Sequence, residues 1–173
     1  MTILVIGCSL NSSSNSQILA SEAVKQLQQL RIETSLLDLR EHSLSFCSGE
    51  NEDAIIPELA RRIREANAII MAVPIYNYDV NAAAKNLVEH VGKAFENKLV
   101  AFMCASGGQN SYMSIMSLAN SLMLDFRCLV VPRFVYATSQ AFNDGRIINE
   151  QIAIRVKELC EEVVRLTRAL AAT

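Results

Sequence analysis

Clustered positive charge is absent from this chain of 173 residues. Lys and Arg number 16 against 18 Asp and Glu, a formal net charge of −2, and no basic patch or tail stands out. Nucleic acid is therefore not expected as a partner, because neutralising phosphates needs grouped cations. Long apolar runs are missing too. None approaches the ~18 residues of a membrane span, so no membrane partner is expected. The opening stretch, MTILVIGCSLNSSSNS, has no basic segment and its apolar run ends at Gly7, so it reads as a buried strand rather than an export signal. The five cysteines (Cys8, Cys47, Cys104, Cys128, Cys160) include no C-x-x-C pair, and only His42 and His90 could complete a metal site. Neither a zinc site nor a disulfide framework is expected, which places the chain in a reducing cytoplasm. No nucleophile–histidine–aspartate set and no paired carboxylates stand out, so no catalytic side chain is assigned.

What is present is ample core material: 51% apolar and 20% charged residues. The length suits one domain over residues 1–173, since domains commonly run ~100–200 residues. Short apolar runs at 2–6, 31–39, 68–73, 98–104 and 128–136 alternate with helical patterns at 16–30, 55–66, 80–95, 110–124 and 149–171. Runs apolar at every position belong in a parallel sheet covered on both sides. The expected fold is an α/β three-layer sandwich with a five-stranded parallel sheet in the flavodoxin-like order 2-1-3-4-5. Pro132 interrupts the fifth run, which predicts a bulge or edge there. Asn149 is expected to cap the last helix.

In such a sheet, ligands bind beyond the carboxyl ends of the strands near the switch in strand order, here the loops after strands one, three and four. The first loop, residues 7–16, is crowded with hydroxyls and amides and opens into a helix, which suits a phosphate. It lacks the glycines and lysine of a Walker A loop, and it breaks G-x-G-x-x-G at Ser9. A phosphatase loop with Cys8 as nucleophile would need an arginine at Ser14. The second loop, Pro74-Ile75-Tyr76-Asn77-Tyr78-Asp79, offers aromatics and an amide to a planar ring. The third, Ala105-Ser106-Gly107-Gly108-Gln109-Asn110, lets a ligand approach bare backbone. Taken alone, the second and third read better as simple turns, and the first equally well as a turn with an ordinary N-cap. Together they suit a phosphorylated planar cofactor. The candidate binding residues are Ser9, Asn11, Ser14, Asn15, Ser16, Pro74, Ile75, Tyr76, Asn77, Tyr78, Ser106, Gly107, Gly108 and Gln109.

These residues resemble the NADPH-dependent FMN reductase family of flavodoxin-like proteins, which includes quinone, chromate and azo-dye reductases. The family's G-S-L-R-x-x-S-x-N loop is matched at Ser9, Leu10 and Ser14, with Asn11 for the usual arginine and Ser16 for the asparagine. Its P-E-Y-N-Y-S-x-P-G-x-L-K-N element is matched at Pro74, Tyr76, Asn77, Tyr78, Lys85 and Asn86, with Ile75, Asp79, Asn81 and Ala82 departing. Ser106-Gly107-Gly108 and the turn at residues 142–146 follow the family too. The resemblance implies an FMN-dependent oxidoreductase that uses NADPH or NADH and reduces a small-molecule acceptor such as a flavin or quinone. An electron-carrier flavodoxin and a module that has lost its flavin are the alternatives. Family members commonly form dimers and tetramers. Here the 112–124 helix is apolar on more than one face, with Met113, Met116 and Met123 on one side and Ile115, Leu118, Ala119 and Leu122 on another, which fits either a broad buried face within the monomer or, the favoured reading, a subunit interface. A homodimer or homotetramer is expected, with this helix and the 80–95 helix at the contact.

Overall fold

The structure, a computed structural model, describes residues 1–49 and 53–172. Strands β1 (Thr2–Gly7), β2 (Glu33–Asp38), β3 (Ala68–Tyr76) and β5 (Leu99–Ser106) pair in parallel in the order β2-β1-β3-β5. The fifth position is filled by two short strands, β6 (Leu129–Val130) and β7 (Val135–Thr138), both parallel to β5. Pro132 lies between them, as the broken apolar run predicts: a proline has no N–H to give to a ladder.

Alternate residues of each central strand enter opposite faces, and both faces are covered. Leu4, Ile6, Met71, Val73 and Phe102 pack in one core with α2 (Ile56–Glu65), α3 (Ala82–Val91) and α4 (Met116–Phe126). Ile3, Val5, Ile70, Ala72 and Met103 pack in the other with α1 (Asn15–Gln29) and α5 (Glu150–Ala171). Burial on both sides explains why β3 and β5 read as unbroken apolar runs with no alternation. This is the flavodoxin-like three-layer sandwich with the expected parallel order. The N-cap of α5 is also where the sequence puts it, with Asn149 Oδ1 accepting from the Ile152 N–H at 3.1 Å.

Several boundaries differ from expectation. β3 does not stop at Pro74 but runs on to Tyr76. Pro74 and Ala72 point their backbone groups to the same side, where β1 has already ended at Gly7, paired with Ala72. No strand there needs an N–H from residue 74, and the Pro74 carbonyl instead accepts from Asn81 N–H at 3.2 Å. The helix expected from residue 80 starts at Ala82, because Asp79–Val80 form β4, antiparallel to Ile75–Tyr76. It ends at Val91 and continues as a 3₁₀ turn through Phe95. The helix expected from residue 110 is a 3₁₀ turn at Tyr112–Ile115 followed by α4. A two-stranded hairpin, β8 (Phe142–Asn143) with β9 (Arg146–Ile147), precedes α5. Its turn needs left-handed backbone at Asp144 (φ 47°) and Gly145 (φ 72°), which an Asp-Gly pair supplies.

Candidate functional site

The carboxyl ends of β1, β3, β5 and β7 bring the loops together around a cavity of about 410 Å³. From the first loop come Asn11, Ser13, Ser14, Asn15 and Ser16, from the second Pro74 to Asn77, and from the third Ala105 to Gly107. Ten of the fourteen candidate residues therefore meet in one place. Ser9 does not line it. It is buried at 1% exposure, and its hydroxyl accepts from the Asn11 N–H at 3.1 Å, so it shapes the loop from within. Tyr78 stands outside at the tip of its turn. Gly108 accepts from Tyr136 Oη at 2.5 Å, and Gln109 lines a separate depression with Tyr112 and Tyr136. Ser139 also lines the cavity, with its hydroxyl 3.3 Å from the Gly107 carbonyl. It follows β7, and the signal that could have found it is its place after the fifth strand on the same sheet edge.

The first loop ends at a helix with spare donors. The first N–H groups of any helix have no internal acceptor. In α1 the N-cap residue Ser14 leaves them free, since its side chain caps nothing. Its hydroxyl pairs with that of Ser16 at 2.8 Å. Asn11, where the resembled family has arginine, accepts from Ser13 N–H at 2.9 Å. No charged side chain lines the cavity among the described residues. Free N–H groups, the positive end of the helix dipole and the lack of any carboxylate fit a phosphate.

A cation nevertheless lies behind this loop. Arg40, just past β2, donates through Nη1 to the Ser12 carbonyl at 3.3 Å. Its Nε and Nη2 hold Asp38, at 3.0 and 2.5 Å. Asp38 is only 6% exposed and also accepts from Gln17 Nε2 at 2.9 Å. Burial alone would raise its pKa, but the hydrogen bonds and charge of Arg40 outweigh that and hold the carboxyl below its usual range. Gln17 lies over Gly7, where a Cβ would come within 2.1 Å of its Oε1. The loop is thus braced from β2 and α1 at once.

The second loop is a tight hairpin turn. Tyr76 pairs with Asp79, leaving Asn77 (φ 52°) and Tyr78 (φ 62°) both left-handed. Asparagine accepts that backbone readily; tyrosine does so at a cost, which the surroundings must hold in place. Asp79 supplies part of that hold, accepting from Val80 N–H at 2.7 Å and from Ser117 Oγ of α4 at 2.5 Å. Asn81 links this loop to the first by donating to the Cys8 carbonyl at 2.7 Å. Lys85 and Asn86 lie outside the cavity. Asn86 instead fastens residues 45–47, accepting from Cys47 N–H and donating to the Ser45 carbonyl, and His90 Nε2 meets that same carbonyl at 2.9 Å.

The third loop is a hydrogen-bonded chain. Ser106 meets Ser111 at 2.9 Å, and Ser111 meets Tyr136 Oη at 2.9 Å. A Cβ at Gly107 would meet nothing within 4 Å, so the backbone is open to close approach. Cys8 and Cys104 are buried behind the site. Burial pushes the Cys104 thiol up to about 12 and the Cys8 thiol further. Both remain protonated, which suits their reading as small core residues.

Parallel strands, an uncapped helix at the first loop and a cavity at the switch in strand order define a nucleotide-cofactor protein of the flavodoxin class. Comparison with known proteins carries this further. The sequence model of the NADPH-dependent FMN reductase family matches residues 1–143, and the chain belongs to that family. FMN and a nicotinamide dinucleotide come with it as cofactors. The chain is 27% identical over 142 residues to an NAD(P)H-dependent FAD/FMN reductase of Geobacillus thermodenitrificans, covering 78% of this chain and 76% of the other. It is 24% identical over 181 residues to the NADH:(hydroxy)cinnamate reductase subunit CrdA of Vibrio ruber, covering 97% and 87%. Among solved structures, RosB with bound 8-demethyl-8-formylriboflavin-5'-phosphate superposes with a TM-score of 0.81 at 16% identity, over 100% of this chain and 81% of that one. The flavoenzyme NAD(P)H:(acceptor) oxidoreductase FerB of Paracoccus denitrificans does so at 0.78 and 19%, over 97% of each. At these identities the structures speak for the fold alone. No helix among the described residues is long and apolar enough to cross a membrane.

Proposed function

We propose that this chain takes electrons from NADPH or NADH and passes them through FMN, bound in the 410 Å³ cavity, to a free flavin, a quinone or a similar small acceptor. The observation that carries the reading is the uncapped start of α1 opening into a cavity without carboxylates. The FMN phosphate would lie against the N–H groups of Asn15 and Ser16 and the hydroxyls of Ser14 and Ser16. The ring would lie between the Pro74–Asn77 turn and the backbone at Ser106–Gly107. When bound, FMN supplies a ring that accepts two electrons from a nicotinamide and releases them to an acceptor. The protein's part is to hold and orient. The Gly107 carbonyl is engaged by Ser139 and the Gly108 N–H by Ser106 Oγ, so the Gly107 N–H is the backbone donor that would meet negative charge on the ring edge. Purification should give a yellow protein that oxidises NADPH or NADH with a quinone or flavin as acceptor. A colourless protein that takes up no FMN would refute the reading. A yellow one that oxidises neither nucleotide would make the chain an electron carrier.

The acceptor must reach a site rimmed by exposed apolar side chains. Tyr76 lines the cavity and is exposed, Tyr78 is exposed beside it in the turn, and Tyr112, Met113 and Leu124 are exposed on the segment that follows the third loop. On the same segment Ile115, Leu118, Ala119 and Leu122 are buried, and Met116, expected on the opposite side, also packs in part against their core; the apolar surface left over is that of Met113 and Leu124. α3 presents Lys85 and Glu89 outward as an ion pair, so α4 and the aromatic turn carry more of the apolar surface than α3 does. A homodimer or homotetramer closing over the site through α4 is the assembly we favour. Light scattering at micromolar concentration should give at least a dimer mass, and Met113→Glu should lower it. A monomer mass with FMN bound would exclude the interface.

A further inference from the structure

A second hollow, about 830 Å³, has roughly twice the volume of the one described above. It lies between α1 and the β8–β9 hairpin, on the far side of the first loop, and Ser13, Ser14 and Asn15 form a wall common to both. Its apolar lining is Ile18, Ile147 and Ala153. Its charged lining is Glu22, Lys25 and Arg146. Glu22 is already engaged, by Gln26 Nε2 at 2.7 Å and by Lys25 at 3.6 Å. Arg146 is exposed and has no ion-pair partner among the described residues. It is carried on a hairpin that the left-handed Asp144-Gly145 turn fixes in place.

We infer that this groove holds the adenosine end of the nicotinamide dinucleotide, with Arg146 and Lys25 reading the 2'-phosphate that distinguishes NADPH from NADH. The inference rests on the reading of the smaller cavity as the FMN site. A planar base suits the aliphatic patch, and a dianionic phosphate suits two cations of which one is unpaired. The exposed Ser12 and Ser13 hydroxyls stand at the divide between the two hollows. They offer uncharged donors to a pyrophosphate crossing from one to the other. The hairpin, which otherwise has no part in the site, thereby becomes a specificity element.

The test uses 2',5'-ADP and 5'-ADP as probes, titrated by calorimetry into the full chain saturated with FMN. The expected result is that 2',5'-ADP binds more tightly than 5'-ADP without displacing flavin. Arg146→Gln should weaken 2',5'-ADP by roughly fivefold, as fits a solvent-exposed ionic contact, and leave 5'-ADP unchanged. Equal affinity for the two probes, or insensitivity to Arg146→Gln, would overturn the inference. So would loss of flavin as 2',5'-ADP is added, since the probe would then occupy the phosphate cradle. Flavin absorbance reports separately on the cofactor site. A chain that binds 2',5'-ADP through Arg146 but takes up no FMN would refute the proposed function, and one that binds FMN but not 2',5'-ADP would refute only this inference.

Discussion

Ser14→Asp should abolish FMN binding while leaving the protein as stable as its parent, or more so. Ser14 is the N-cap of α1 with extended backbone (φ −88°, ψ 128°), and its side chain makes no capping hydrogen bond. Aspartate is among the best residues at an N-cap, because its carboxylate accepts the free N–H groups and favours the positive end of the helix. Those are the same groups assigned to the phosphate. The substitution therefore fills the anion site with an anion. Two unit charges about 4 Å apart at an effective dielectric near 20 repel by ~4 kcal/mol, which corresponds to about a thousandfold in affinity. Riboflavin, which has the ring but no phosphate, should lose far less. Flavin fluorescence titration and a thermal melt read the two effects independently. If FMN affinity survives Ser14→Asp, the phosphate does not lie at the start of α1.

How far the sequence announces this arrangement depends on the range of the interactions concerned. The parallel sheet is legible because Leu99 to Ala105 and Ala68 to Ile75 are buried without interruption, and only a sheet covered on both faces explains unbroken apolar runs. The Asn149 cap is legible because it bonds only three residues away. β4 is not, since it consists of two residues whose pairing exists only because Asn77 and Tyr78 turn left-handed. Pro74 misleads for a related reason. A proline ends a strand only where its N–H is wanted, and whether it is wanted depends on where β1 stops, at Gly7, far earlier in the chain. At the site, the loops after strands one, three and four could be read in advance because they follow apolar runs. Their internal bonds could not. Ser9 resembles a ligand by composition and proves to be a buried loop support. Asn81, a departure from the family motif, joins two loops through Cys8. The role of Arg40 was also hidden, because its contact with Ser12 spans twenty-eight positions.

That contact leads to the second large effect, a reversal in how stability responds to pH. In the parent, Arg40 keeps the Asp38 carboxyl below its usual range. A group whose folded pKa is depressed contributes stability that is full above its unfolded pKa, ~3.9 for aspartate. That stability is lost as pH falls through the folded value. Arg40→Met removes the guanidinium and leaves the carboxylate 6% exposed, with Gln17 Nε2 and the backbone N–H of residue 40 still donating to it at 2.9 and 3.0 Å. Burial is the largest single influence on this carboxyl; against it remain only these hydrogen bonds and the charge of His42, so the folded pKa is expected to rise above ~3.9. The sign changes: the variant is penalised increasingly as pH rises through that higher value. Breaking a buried pair from one side costs about 3–5 kcal/mol. The low end applies here, because the Arg40 side chain is 31% exposed. Melts of parent and variant should therefore diverge by about 3 kcal/mol at pH 7 and converge near pH 3. Asp38→Asn combined with Arg40→Met should recover most of the loss and flatten the difference, since no charge is left buried. FMN affinity in Arg40→Met should fall by about tenfold, as the Ser12 carbonyl loses a charged donor behind the loop. A deficit of the same size at pH 3 and pH 7 would show that Arg40 acts by packing and not through the charge of Asp38.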